Sequence, residues 1–135
     1  LGGWTWPYDP DQIRERSQPY AGDGFVWAVC VEDRLIGTLG GTGGDLGYML
    51  APDYAGQGLM SRAAAIAVAE AFDTTDRTFL TASTWADNPA SHRVLLKLGF
   101  AHWQTRYMHA KARARPTLVR HYRLSRAAWR LKHPA

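Results

Sequence analysis

Hydrophobic and polar positions change period along the chain, and the changes divide it into elements. Residues 25–31 form a run of β-branched and aromatic side chains, which predicts a buried strand. Glu32, Asp33 and Arg34 make a tight turn, and residues 35–39 return as the hairpin partner. Gly40, Gly41, Gly43 and Gly44 are expected to break that second strand. A third strand over residues 45–50 ends ahead of Pro52, completing a meander of antiparallel neighbours. The period then becomes helical. Residues 59–72 are alanine-rich, with Leu59, Ala63, Ile66 and Ala67 along one face. A loop over 73–77 leads to a strand over 78–85. Pro89 in a first turn, then Val94, Leu95 and Leu98, predict a second amphipathic helix stopped by Gly99. Strands follow at about 100–110 and 118–124, joined by a basic hairpin connection over 111–116. Residues 125–135 read as a short helix or a frayed end. Ahead of all this, Asp9 and Pro10 open a short polar helix reaching about Arg16. No repeat, linker or second domain is visible, so residues 1–135 read as one domain with an α/β sheet whose helices are crossovers.

Composition fits that picture. At 135 residues the chain has the size of one domain, and its 46% apolar and 21% charged residues are near average for a globule. Disorder, collagen and coiled coil are excluded. The longest apolar-biased run, residues 63–71, is interrupted by Glu70 and far shorter than a membrane span. No cationic start precedes an apolar block, so no signal peptide is read. Cys30 is the one cysteine; within its apolar run it is expected to be a buried thiol, compatible with a reducing cytoplasm. Charge is uneven. Residues 1–87 hold five Lys/Arg and all 12 Asp/Glu, whereas residues 88–135 hold 11 Lys/Arg and no acid. Either the two halves neutralise each other within one fold, or the basic half meets a polyanion.

The most informative segment is Leu50-Ala51-Pro52-Asp53-Tyr54-Ala55-Gly56-Gln57-Gly58-Leu59-Met60. A strand ends, a glycine loop follows, and a helix begins at once. Gly56 and Gly58 let backbone N–H groups converge, and the helix N-terminus adds partial positive charge, which outlines a pyrophosphate cradle. It has neither the three glycines of a dinucleotide fingerprint nor the Gly-Lys-Ser/Thr of a P-loop. About thirty residues later comes Asn88-Pro89-Ala90-Ser91-His92-Arg93-Val94-Leu95-Leu96-Lys97-Leu98-Gly99-Phe100.

Taken together, these two segments resemble the GNAT superfamily of acyl-CoA-dependent N-acyltransferases, and within it the ribosomal-protein N-terminal-alanine acetyltransferases. Leu35-Ile36-Gly37-Thr38, Asp45-Leu46-Gly47-Tyr48-Met49-Leu50 and the ending from Tyr122 to Trp129 carry the same resemblance, which covers nearly the whole chain. It implies a mixed, largely antiparallel twisted sheet with flanking helices. The family usually begins with a strand and a helix before the Trp4-Thr5-Trp6-Pro7-Tyr8 region, so the chain is expected to lack them. The implied activity is transfer of an acetyl group from acetyl-CoA to a primary amine, a protein N-terminus or a small amine, by direct attack in a ternary complex. The resemblance assigns acetyl-CoA to the backbone of Gly56, Gln57, Gly58, Leu59 and Met60. Asn88 would bond its pantetheine arm, although an Asn before Pro89 is as readily a turn or cap residue. Ala55 stands where the family usually has Gln or Arg, and Asp53 adds negative charge; both imply weaker binding.

By the same resemblance Ser91 lies near the cofactor sulfur as candidate acid, because Leu95 occupies the place of the tyrosine that serves in many members. Asp45 stands where this branch often has a glutamate and is the candidate base, working through water, or else a solvated turn residue. A backbone N–H around Met49 or Leu50 would hold the oxyanion. Trp4, Trp6, Tyr8, Tyr48 and Tyr107 are candidate walls of an acceptor groove, or packing residues. By resemblance His92 lies on the cofactor-side helix and Arg93 or Lys97 could meet a phosphate, but all three read first as a solvated helix face. No metal site is expected: the five histidines have neither ligand spacing nor companion cysteines. A homodimer fits the family, with no patch that identifies an interface. Two further readings stay open: a degenerate, acyl-CoA-binding relative without turnover, and a non-catalytic module whose basic half docks on RNA or the ribosome. Against the last, no ribonucleoprotein-type aromatic-basic signature is present.

Overall fold

A computed structural model describes residues 21–110 and 112–134. The expected short helix after Asp9, and Trp4, Trp6 and Tyr8, lie outside the described residues. Six strands form one sheet: β1 (Gly24–Val31), β2 (Arg34–Thr42), β3 (Asp45–Leu50), β4 (Phe79–Trp85), β5 (Ala101–Ala110) and β6 (Arg115–Ser125), in the order β1-β2-β3-β4-β6-β5. Every neighbouring pair is antiparallel except β3 and β4. The connection between those two is the long crossover that parallel pairing requires, helix α1 (Leu59–Thr74). Helix α2 (Pro89–Leu98) crosses from β4 to β5, leaving a place between them that β6 fills. The tail is ordered as α3 (Arg126–Lys132), because the Ser125 hydroxyl accepts from the Ala128 N–H at 3.0 Å and caps it.

All three helices contribute to one core on one face of the sheet. Met60, Val68 and Phe72 of α1, Leu95 and Leu98 of α2, and Trp129 of α3 pack with Leu39, Leu46, Leu80, Tyr122 and Leu124. No helix among the described residues lies on the opposite face. This explains one correction. β1 is a half-buried outer strand, not a fully buried one: Phe25, Trp27 and Val29 face the core while Val26, Ala28 and Cys30 are exposed. A second correction concerns Gly40 and Gly41. They continue β2, because each is paired on both sides, with Val26 and Gly47 and with Phe25 and Leu46. The Phe25 ring stands over Gly41, where an added β-carbon would lie 3.2 Å from it. The turn falls at Gly43 and Gly44, both at positive φ. The basic connection is shorter than expected, since Arg115 and Pro116 already pair with Ala110 and His109. Pro116 is tolerated near the start of its strand, where its missing N–H costs little.

Helix α1 ends without a basic residue in its last turn. Its terminal carbonyls are held instead from far along the chain. The Arg126 guanidinium donates from Nη1 to Phe72 O at 2.6 Å, from Nη2 to Thr75 O at 2.6 Å and from Nε to Arg77 O at 2.9 Å. This cation also complements the negative end of the helix dipole. Charge-assisted hydrogen bonds are the stronger kind. Arg126→Met should therefore lower the unfolding free energy in urea by about 2–3 kcal/mol with little change in m-value.

Candidate active site at the opening between β3 and β4

β3 and β4 pair only over the first two residues of β3, Asp45 with Thr81 and Leu46 with Ala82 in the middle of β4. The pairing is clamped there: the Thr81 N–H donates to Gly44 O at 2.9 Å and its hydroxyl to Asp45 Oδ1 at 2.7 Å. Beyond it the strands part. N–H directions alternate along a strand, and the Ala51 N–H donates to Ile36 O of β2. The N–H of Met49 therefore faces β2, while those of Tyr48 and Leu50 face the opening without a ladder partner on β4.

A cavity of about 480 Å³ occupies the opening, reaching from the ends of β3 and α2 to the start of α1. Gly56 and Gly58 lie on its wall with φ of 80° and 73°, values that glycine adopts without strain. A β-carbon at either would meet nothing within 4 Å, so the space in front of the loop is free. Gly58 is the N-cap of α1 and offers no side-chain acceptor, and the first α1 bond returning to it comes from Arg62. The N–H groups of the first turn thus remain available beside the positive helix end. Arg93 and Lys97 of α2 are exposed, as a solvated face requires, and line the same cavity. His92 departs from that expectation, because its Nδ1 bonds the hydroxyl of the buried Tyr122.

Of the residues assigned to the cofactor, Met49, Leu50, Gly56, Gly58, Leu59, Met60 and Asn88 line this cavity and Gln57 does not. Asn88 also caps α2, its Oδ1 accepting from the Ser91 N–H at 3.2 Å. Ser91 reaches across the opening: its Oγ lies 2.7 Å from the Tyr48 hydroxyl, which is also 3.1 Å from Ser91 O. Burial raises the Tyr48 pKa, partly offset by the bond to Ser91, so the phenol stays protonated near neutrality. This pair was not legible beforehand, since Tyr48 and Ser91 stand 43 residues apart on a strand and a helix.

A second cavity, about 350 Å³, shares Tyr48, Asn88 and Ser91 with the first and extends to β4, β5 and β6 through Thr84, Trp85, Met108 and Val119. Arg113 stacks on Trp85 at 3.9 Å and donates to Asp87 at 2.8 Å, tying the end of β4 to the β5–β6 turn. Asp45 belongs to neither cavity. It lines a third, about 230 Å³, with Thr38, Gly47, Tyr48 and Met49. Four residues of strand, ~13 Å, separate it from Met49. The structure therefore does not bring Asp45 and Ser91 into contact. Desolvation raises the Asp45 pKa from its ordinary value, against the Thr81 hydrogen bond and the attraction of His121, which both lower it. Burial likewise lowers the His121 pKa, as do Arg106 and His102, against the pull of Asp45. Among the described residues no group of His, Cys, Asp or Glu has metal-binding geometry, and no helix is long and apolar enough to cross a membrane.

Known proteins share this fold. A family model described as an acetyltransferase (GNAT) domain matches residues 2–101. No curated protein sequence matches. Among solved structures, ribosomal-protein-S5-alanine acetyltransferase from Vibrio fischeri superposes with a TM-score of 0.68 at 19% identity, over 88% of this chain and 68% of that one. Spermidine N-acetyltransferase SpeG from Vibrio cholerae, an F149A mutant, gives 0.74 at 15% identity, over 88% and 76%. YncA from Salmonella typhimurium, a putative acetyltransferase solved with its cofactor acetyl-CoA, gives 0.64 at 17% identity, over 76% and 64%. These likenesses concern the fold, and the match over residues 2–101 concerns the sequence; together with the splayed strands and the glycine loop at the head of α1, they show that the chain belongs to the GNAT acetyltransferase family.

Proposed function

We propose that residues 1–135 form one cytoplasmic acetyltransferase domain that moves an acetyl group from acetyl-CoA to a primary amine, with both substrates bound together. The observation that carries this reading is the 480 Å³ cavity, where a free glycine cradle, an uncapped helix start and two cations meet the unpaired end of β3. In the pyrophosphate end, the first-turn N–H groups of α1 donate to phosphate oxygens, and Arg93 and Lys97 supply the charge that Ala55 does not. Bound acetyl-CoA supplies the thioester. The outward N–H of Leu50 is the donor aimed where the carbonyl oxygen gains charge. The new C–N bond forms as the C–S bond breaks, so the amine must lose a proton and the thiolate must gain one. Ser91 hands a proton to the sulfur and is reprotonated through Tyr48, whose hydroxyl lies 2.7 Å away. Asp45 accepts the amine proton through water along β3, since direct contact is too far.

Three outcomes check these roles. Gly58→Trp places an indole in the cradle and should weaken acetyl-CoA binding, read by calorimetry, at least tenfold; because any side chain is strained at this positive φ the thermal midpoint should fall too, and Gly58→Ala, with the same backbone strain and no indole, should lose less affinity. Unchanged affinity would remove the cofactor assignment. Ser91→Ala should cut kcat with acetyl-CoA about 10²-fold at nearly constant KM for acetyl-CoA, and Tyr48→Phe should fall between the variant and the parent. Partial desolvation disfavours the charged form of Asp45, so its carboxylate ionises at a higher pH than an ordinary aspartate. The acid limb of kcat/KM should therefore rise with pH and sit above the position an unperturbed aspartate would give it, and Asp45→Asn should abolish it; a limb that survives in Asp45→Asn assigns the base elsewhere.

A further inference from the structure

The cap and first turn of α2 carry Asn88 and Ser91, and they are held from two sides. Towards β3, the Ser91 Oγ lies 2.7 Å from the Tyr48 hydroxyl. Towards β6, Nδ1 of His92, the next residue along, shares a hydrogen bond with the Tyr122 hydroxyl. β4 lies between those two strands, so the turn is suspended across β4 between two tyrosines. The turn is also tied within itself. Asn88 Oδ1 accepts from the Ser91 N–H at 3.2 Å, and Asn88 O accepts from the His92 N–H at 3.3 Å. Asn88, Ser91 and His92 therefore move as one body, and what fixes His92 fixes Ser91.

Tyr122 is a firm anchor. Its side chain is fully buried, its backbone pairs with Ala82 on one side and His102 on the other, and the His92 and His102 rings lie against its own at 5.6 Å each. Among the described residues, His92 is the one hydrogen-bond partner of its hydroxyl. A phenylalanine would fill the same core volume with no hydroxyl to satisfy, and a buried hydroxyl that loses its partner is costly. The bond to α2 is thus what this hydroxyl contributes. The two anchors differ in one respect. A Ser91 hydroxyl that passes its proton to the sulfur must loosen its bond to Tyr48, whereas the bond between His92 and Tyr122 takes no part in the transfer and keeps the turn in place.

We infer that Tyr122 is a positioning residue for acetyl transfer: acting through His92, it holds the first turn of α2 so that the Ser91 hydroxyl stays aimed while it exchanges protons. The inference rests on Ser91 being the proton donor to the sulfur. Misplacing a reacting group by about 1 Å costs up to about 10²-fold in rate, so the effect is large enough to measure.

Tyr122→Phe removes the hydroxyl and keeps the ring. Assayed well below its thermal midpoint, it should lower kcat about tenfold while KM for acetyl-CoA changes less than twofold. In a Ser91→Ala background the same substitution should cost less than twofold, because the group it positions is gone. His92→Leu should match Tyr122→Phe, whereas His92→Asn, whose amide stands in for Nδ1, should keep kcat within threefold of the parent. An equal loss in both backgrounds, a loss carried by KM, or equal losses in His92→Leu and His92→Asn would each overturn the inference in favour of a merely structural role. A second readout needs no turnover. The Cζ NMR resonance of Tyr48, which follows its hydrogen bonding, should move in His92→Leu and stay near its parent position in His92→Asn. If no amine is acetylated, the transferase reading falls alone: a Tyr48 resonance that behaves in this way still upholds the anchoring of the turn, and one unmoved in His92→Leu sinks it.

Discussion

The parting of β3 from β4 after two paired residues is the constraint on which the site depends. A parallel ladder continued to Leu50 would consume the outward N–H groups of Tyr48 and Leu50 and close the space between the strands. The clamp at the closed end, Thr81 on Gly44 O and on the Asp45 carboxylate, fixes where pairing begins and its register. At the open end the sheet does not stand unsupported. Tyr48 reaches from β3 to Ser91 on α2, replacing lost backbone pairing by a side-chain bridge. Both helices that border the opening present their N-termini to it, so backbone donors and positive dipole ends converge on one region.

That bridge also divides the space. The glycine loop and the Arg93–Lys97 face lie on one side; an apolar wall around Trp85 lies on the other. The charge asymmetry of the sequence finds a partial explanation in the same geometry. Asp87 pairs with Arg113 and Asp73 with Arg130, so acids of the first part meet bases of the last, as two facing halves of one fold should. These pairs are exposed and contribute little to stability. Arg126 differs, because it spends its charge on three backbone carbonyls at the end of α1 and so joins the last helix to the first crossover.

Much of the fold was legible because local chemistry and tertiary context agree. Asn88 and Pro89 open α2 and Gly99 closes it at φ 103°, as the sequence predicts from residue type alone. The glycine loop was legible for the same reason: Gly56 and Gly58 need positive φ, and a helix follows at once. Errors arose where a neighbour decided. Gly40 and Gly41 read as breakers until β1 and β3 paired with them on both sides, and Cys30 read as buried until β1 proved to be an outer strand. Asp45 and Ser91 were both named, yet nothing in their spacing reveals that a stretch of strand keeps them in separate cavities.

By itself the sequence determined the elements, their order, the glycine loop at the head of α1 and the family, because each follows from periodicity, from glycine and proline stereochemistry, or from motifs a few residues long. Tertiary structure alone decided which distant groups meet. The Tyr48–Ser91 bridge, the Arg126 clamp, the cations of α2 beside the glycine loop and the His92–Tyr122 bond all depend on register and helix placement. Those quantities are set by the packing of one shared core, where Leu39, Val68, Leu95, Tyr122 and Leu124 fill the same volume from four different elements.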